Sequence, residues 1–374
     1  MNRKKALYRY EFGNMKWLLI AGLGCSLVVL FILNTMYSQT VNFGALAGEG
    51  YFEIGYSATF SDILSNTLTS FTPMAIVAVS VMTIFQFSDY HKRDRREYIV
   101  SLPFTQRERF VSKFAVGSGI LTVVCAVFGT GVMLLRAQYY NIFLKKWLTH
   151  PEYRLLCGND TWFHAFRAIL LLWIVMLTVY AICIVIHSLV TVGVIATFIS
   201  LGVIASPIYL LWMFGFYVDA FSEHFDSAEL VNGTFAQICR ALIGDGYYRD
   251  NYVALGEDAQ EAGMYSYSQI TYTDYGSMGI VFLALIVILI ACAILAYVIN
   301  IKQDGAKFGR LIPIKGARIF ISVGMAICFS FPVAGIAAFC FALGDSTWGL
   351  LILQIILAAV LFSVNQRIFQ RVTR

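Results

Sequence analysis

Charged and polar residues cut this chain into long apolar runs. Six are plain: Trp17–Met36, Leu68–Phe87, Phe114–Leu135, Met278–Ile299, Ile319–Leu343 and Gly349–Val364. Each reaches or approaches the ~20 apolar residues that a helix needs to cross the hydrocarbon core of a bilayer. Ala165–Phe216 is nearly continuous at 52 residues, too long for one crossing and suited to two that turn near His187–Gly193. The pattern predicts an all-α polytopic membrane protein with about eight transmembrane helices. They fall near 17–36, 68–87, 114–135, 165–186, 190–216, 278–299, 319–343 and 349–364.

Composition agrees with the pattern. Hydrophobic residues make up 59% and charged residues 13% of the 374, about half the ~25% charged share of a soluble protein. Disorder, collagen, coiled coil and a small disulfide scaffold are excluded. Charge placement then orients the spans. With eight crossings and the N-terminus inside, 20 of the 27 Lys and Arg fall on the cytoplasmic side and 16 of the 22 carboxylates outside. Basic residues in short loops set orientation, so both termini are expected in the cytoplasm. A single crossing by Ala165–Phe216 would instead put the five basic residues of 300–318 outside. The first run follows Arg3, Lys4 and Lys5, but its length and the absence of a small-x-small site favour an anchor over a signal peptide.

Residues 1–16 mix Arg3, Lys4, Lys5 and Arg9 with Leu7, Tyr8, Tyr10 and Phe12. That mixture suits an amphipathic helix in the membrane interface; a basic tail that only sets topology is the other reading. Residues 137–163 are aromatic and mildly basic and suit an extension of the third helix. The largest outer loop, 217–277, sets two arginines against ten carboxylates. Within it, Leu230 to Ile243 follow helical spacing, which predicts a small extracellular helix, and the Tyr-rich stretch Tyr247–Tyr275 suits an interfacial position. Cys157 and Cys239 fall in polar segments and form a candidate disulfide if both are extracytoplasmic; no cysteine shows metal-ligand spacing.

Enzyme chemistry finds no support. No GxxxxGK[ST] or HExxH occurs, and the five histidines are scattered. Gly117-Ser118-Gly119 reads as small residues that allow close helix packing rather than as a catalytic serine. Ion relays need ionisable groups at membrane depth, and the eight runs are nearly devoid of them. Arg136, Arg167 and His187 lie near predicted helix ends, where snorkelling or solvent accounts for them. Pro73, Pro207 and Pro332 leave broken, ion-coordinating helices as an open alternative.

The cytoplasmic loop Ser88–Phe114 carries the remaining signal. Asp94 to Val100 can form about two helical turns, and Leu102-Pro103 forces an extended corner. Thr105 can cap a helix from Gln106, with Glu108 at its third position, that runs through Lys113 into span three. A short helix, a corner and a stiff connection make a mechanical lever; a solvated loop obeying the positive-inside rule is the plain alternative.

This loop resembles that of permease subunits of type-2 ATP-binding-cassette (ABC) exporters. In that family an acidic residue follows span two, a short coupling helix comes next, and a Ser-Leu-Pro corner leads to a Lys opening span three. Here Asp89, Glu97–Val100, Ser101-Leu102-Pro103, Thr105, Arg107 and Lys113 occupy those places, while Arg95-Arg96 stand where the family often has Gly-Thr. The likeness covers Met1 to about Ile299, with its six-span unit at 17–299, and leaves 300–374 with two additional spans. It implies a homodimer or related heterodimer of permeases carrying two copies of a separate ATPase subunit. ATP and Mg would be used by that partner, with no cofactor, metal or nucleic acid bound by this chain. It also implies a coupling helix docked through Asp94, Arg95, Arg96, Glu97 and Tyr98, with Ile99 and Leu102 packed into the ATPase groove and Pro103 fixing the bend. The expected cargo is apolar or amphipathic, peptide or drug-like, and the expected location a bacterial inner membrane. The alternative is an ATP-independent secondary transporter or a structural or sensory membrane subunit.

Overall fold

The computed structural model describes residues 3–46, 60–91, 101, 103–149, 162–221, 247–253, 266–272, 275–302, 312, 314–340 and 347–370. Among them are eight long helices: α1 (Arg3–Leu46), α2 (Phe60–His91), α3 (Gln106–Thr149), α4 (Trp162–Leu189), α5 (Gly193–Phe221), α6 (Tyr275–Lys302), α7 (Lys315–Cys340) and α8 (Thr347–Gln370). All but α5 carry an apolar stretch long enough by itself to cross a bilayer. α5 is 29 residues long, about 43 Å, with an apolar section Gly193–Pro207. The protein is a multi-pass helical membrane protein, and the long run Ala165–Phe216 is divided between two helices, α4 and α5, with a turn at Val190–Val192.

Successive helices run in opposite directions, so the starts of α1, α3, α5 and α7 meet the ends of α2, α4, α6 and α8. This end of the bundle is called the base, and the other the top. α4 is the hub, packed on α2, α3, α5 and α6, while α1 lies against α3 and α2. The long apolar stretch of α4 between Arg167 and His187 fits its place, since a helix apolar on nearly every face can be packed on all sides. α7 and α8 pair chiefly with one another and meet the other helices mainly along α5. Tyr217 of α5 donates to Gln354 of α8, and Phe331 of α7 packs edge-on against Phe216 and Tyr217.

Two features differ from the sequence expectations. The basic segment 1–16 is not a separate interfacial helix: among the described residues it forms the first turns of α1, continuous across Lys16 into the first span. One face of those turns, Leu7, Glu11 and Met15 at i, i+4 and i+8, is buried, and packing holds them in line with the span. The Tyr-rich stretch of the top loop contributes an antiparallel pair, β1 (Tyr247–Val253) and β2 (Ser266–Tyr272), with Tyr247 opposite Tyr272 and Tyr252 opposite Tyr267. Aromatic residues are good strand formers. The helix expected within Leu230–Ile243 lies outside the described residues. α3 does continue past its span to Thr149, as the sequence suggested.

Candidate functional site

The base of the bundle holds a buried polar cluster where four helices converge. Glu11 on α1 forms an ion pair with Lys113 on α3 at 3.0 Å, both side chains only 3–4% exposed. The Lys113 ammonium also donates to the Gln86 carbonyl of α2 at 2.9 Å, and the Gln86 amide donates back to the Lys113 carbonyl at 2.6 Å. Tyr180 of α4 donates its hydroxyl to Gln86 Oε1 at 2.8 Å. Asp89, one turn beyond Gln86, is buried and accepts from the Tyr10 hydroxyl at 3.4 Å. Four helices are therefore joined through groups that need specific partners, because a buried charge without one is strongly unfavourable.

Glycine makes this convergence possible. A Cβ on Gly117 of α3 would lie 1.8 Å from the Tyr180 hydroxyl, so any larger residue would push α3 and α4 apart. The small-residue reading of Gly117-Ser118-Gly119 is thus realised at Gly117. Gly119 has open space around it.

A second contact ties the end of α2 to the turn between α4 and α5. His91 Nδ1 lies 2.8 Å from the Thr191 carbonyl, and its Nε2 lies 3.1 Å from His187 Nδ1. A carbonyl only accepts, so Nδ1 of His91 carries the proton and Nε2 accepts from His187 Nδ1–H. His187 Nε2 then faces the Thr197 hydroxyl at 3.3 Å. Burial lowers the pKa of His91 below the ordinary histidine value, while its bond to Thr191 opposes that, so a neutral ring suits this chain of bonds. Gly193 leaves room for it, since a Cβ there would meet the His91 ring at 2.8 Å. His187 is 3% exposed: the expected solvated turn is a packed junction instead. Asn300 of α6 donates to Ser188 at 2.7 Å and brings a further helix to the same end.

Between His91 and Gln106 runs the loop singled out from sequence. Its far foot is fixed by the predicted capping box: Thr105 N–H donates to Glu108 Oε2 at 3.0 Å, and Glu108 N–H donates to Thr105 Oγ at 3.2 Å. Arg109, buried, donates to the Phe104 carbonyl at 2.7 Å. Pro103 lies exposed at a bend of the backbone. Asp94, Arg95, Arg96, Glu97, Tyr98, Ile99 and Leu102 lie outside the described residues, as do Cys157 and Cys239. Lys4, Lys5, Tyr8 and Arg9 are exposed on α1, and Arg3 lies at its first position.

The top of the bundle is joined differently. Arg136 of α3 is 2% exposed, not snorkelled as expected. Its guanidinium sits 5.1, 5.9 and 5.2 Å from the ring centroids of Phe60, Tyr140 and Trp162. Beside it, Tyr37 stacks on Phe60 at 4.4 Å and packs against Tyr139, which donates to Asn34 Oδ1 at 3.0 Å. Aromatic faces compensate a desolvated guanidinium by cation–π attraction.

Sequence reasoning named Lys113 and Asp89 as markers of the loop and missed their partners Glu11, Gln86 and Tyr180. A signal existed for Glu11: it stands on the apolar Leu7–Met15 face of a basic segment. The chain matches no protein-family model, no curated protein and no solved structure.

Proposed function

We propose that this chain is the membrane-spanning permease subunit of an ATP-driven exporter of the type-2 ABC kind. Two permease copies work with two copies of a separate ATPase, and the base faces the cytoplasm of a bacterial cell. The observation that supports this reading best is the seating of the loop 92–105. One foot, His91, is bonded to the α4–α5 turn; the other, Thr105–Lys113, is capped and then bound to α1 and α2. A displacement of these two feet is therefore passed to α1, α2, α3, α4 and α5. Charged residues at a docked helix confer register, while apolar and aromatic anchors such as Tyr98 and Ile99 carry affinity. The cargo is apolar or amphipathic, peptide or drug-like, consistent with spans that are poor in charge.

One observation favours the second reading, an ATP-independent transporter. Glu11, Asp89 and Lys113 are buried together, and buried ionisable groups near a bilayer are the usual parts of a proton relay. Affinity purification of this chain from its native membrane, with a search of the eluate for an ATPase that carries a Walker A motif, separates the two. Stable co-purification, with vanadate-sensitive ATP hydrolysis stimulated by a peptide or drug, supports the exporter. Purification free of any ATPase, with vanadate-insensitive export, rejects it.

A further inference from the structure

One stripe along α1 changes its chemistry at Lys16. Lys5, Arg9, Phe12 and Lys16 recur at spacings of four, three and four, so they share a face, and all four are exposed. The same face continues through Ile20, Leu27 and Phe31, exposed at 56, 61 and 70%. Leu7, Glu11 and Met15 occupy a different, buried face of the same turns. Glu11 is the single carboxylate between residues 4 and 31, and it is turned inward to Lys113. Nothing acidic on this stretch therefore offsets Lys4, Lys5, Arg9 and Lys16.

Depth fits the chemistry. At 1.5 Å per residue, Ile20 lies about 6 Å beyond Lys16 along the axis, inside the hydrocarbon core, and Leu27 about 17 Å beyond it, close to the ~15 Å half-thickness of that core. Apolar side chains at that depth, uncovered by protein, are met by acyl chains. Lys16 then stands at headgroup level, its ammonium 5.5 Å from the Trp17 ring centroid; Trp favours that interface. Arg9 and Lys5 continue outward on flexible stems that can turn toward phosphate.

We propose that this stripe docks an anionic phospholipid of the leaflet at the base. Arg9 and Lys16 hold the phosphate, Lys5 adds to the local field, and the tails lie along Ile20 and Leu27. Because Leu7, Glu11 and Met15 on the same turns pack into the bundle, the bound lipid also holds α1 in the register that keeps Glu11 on Lys113. The lipid site does not depend on how transport is driven.

The test titrates the detergent-purified full chain with phosphatidylglycerol or phosphatidylcholine of matched tails and counts bound lipid by native mass spectrometry. Phosphatidylglycerol is expected to bind more than tenfold tighter. Lys16→Gln should weaken it by about fivefold, from a contribution of about 1 kcal/mol per basic residue near an anionic surface. Arg9→Gln/Asn14→Lys keeps the net charge but moves one charge off the stripe, and should weaken binding by a similar factor. Equal binding of the two lipids, unchanged binding by the charge-moved variant, or displacement of phosphatidylglycerol by equimolar glycerol phosphate would each overturn the proposal.

Discussion

The base and the top of this bundle solve the same problem, fixing α1, α2, α3 and α4 against one another, by different chemistry. At the base the joint is a buried ion pair closed by hydrogen bonds: Glu11, Lys113, Gln86 and Tyr180. At the top it is a guanidinium among aromatic rings: Arg136 with Phe60, Tyr140 and Trp162. A hydrogen-bonded ion pair has few good geometries and is costly when half broken, so it favours discrete arrangements. Stacked rings and cation–π contacts fall off gradually and tolerate sliding. The base is therefore suited to pass on a displacement, and the top to yield to one.

The strongest way to break the contrast is at Lys113. Lys113→Met leaves the Glu11 carboxylate buried without its partner and should cost about 3–5 kcal/mol. Glu11→Met/Lys113→Met should recover most of that loss. Thermal unfolding of both single variants and the double variant reads the coupling; strictly additive losses would show that the pair does not act as a unit.

Next comes helix approach. Gly117→Ala should destabilise by about 1–3 kcal/mol by forcing a methyl group onto Tyr180. Gly119→Ala, in open space, should be neutral or stabilise by up to about 1 kcal/mol. The same unfolding assay should separate these neighbours, and equal effects would argue against the close α3–α4 contact.

At the top, Arg136→Met should cost about 1–2 kcal/mol through lost cation–π attraction. A loss matching that of Lys113→Met would erase the distinction between the two ends.

The smallest effect concerns pH. Burial holds the His91 pKa below the value near 6.5 that it has in an open chain. The unfolded form therefore binds more protons than the folded one at mildly acidic pH. The His91 contact should be fully kept above about pH 6.5 and weaken as pH falls below it. Hydrogen-exchange protection at the α4–α5 turn, taken relative to the intrinsic amide rate at each pH, should fall on acidification in the wild type, and His91→Gln should flatten that dependence.

Local features of this molecule were legible in the chain, and the joints were not. Hydropathy located the helices because lipid demands long apolar runs, and the Thr105/Glu108 capping box could be read because its partners lie three residues apart. The turn after Leu189 followed from a run too long for one crossing. Glu11–Lys113 joins residues 102 apart in sequence, and no periodicity encodes such a pairing. Arg136 and His187 were expected at the water boundary because they sit near helix ends. The structure buries both, since aromatic rings and a second histidine from distant segments meet them there. β1 and β2 were missed because seven tyrosines spread through an acidic loop read equally well as an interfacial segment.

The central claim is that the loop 92–105 carries nucleotide-driven motion from a second polypeptide into α3. Its most direct test is ATP hydrolysis and cargo export by the reconstituted complex carrying Glu97→Arg or Tyr98→Ala. The account predicts that both variants insert normally yet lose most cargo-stimulated hydrolysis and export. Full coupling in both variants, or cargo movement by this chain alone in liposomes under an ion gradient, would contradict it.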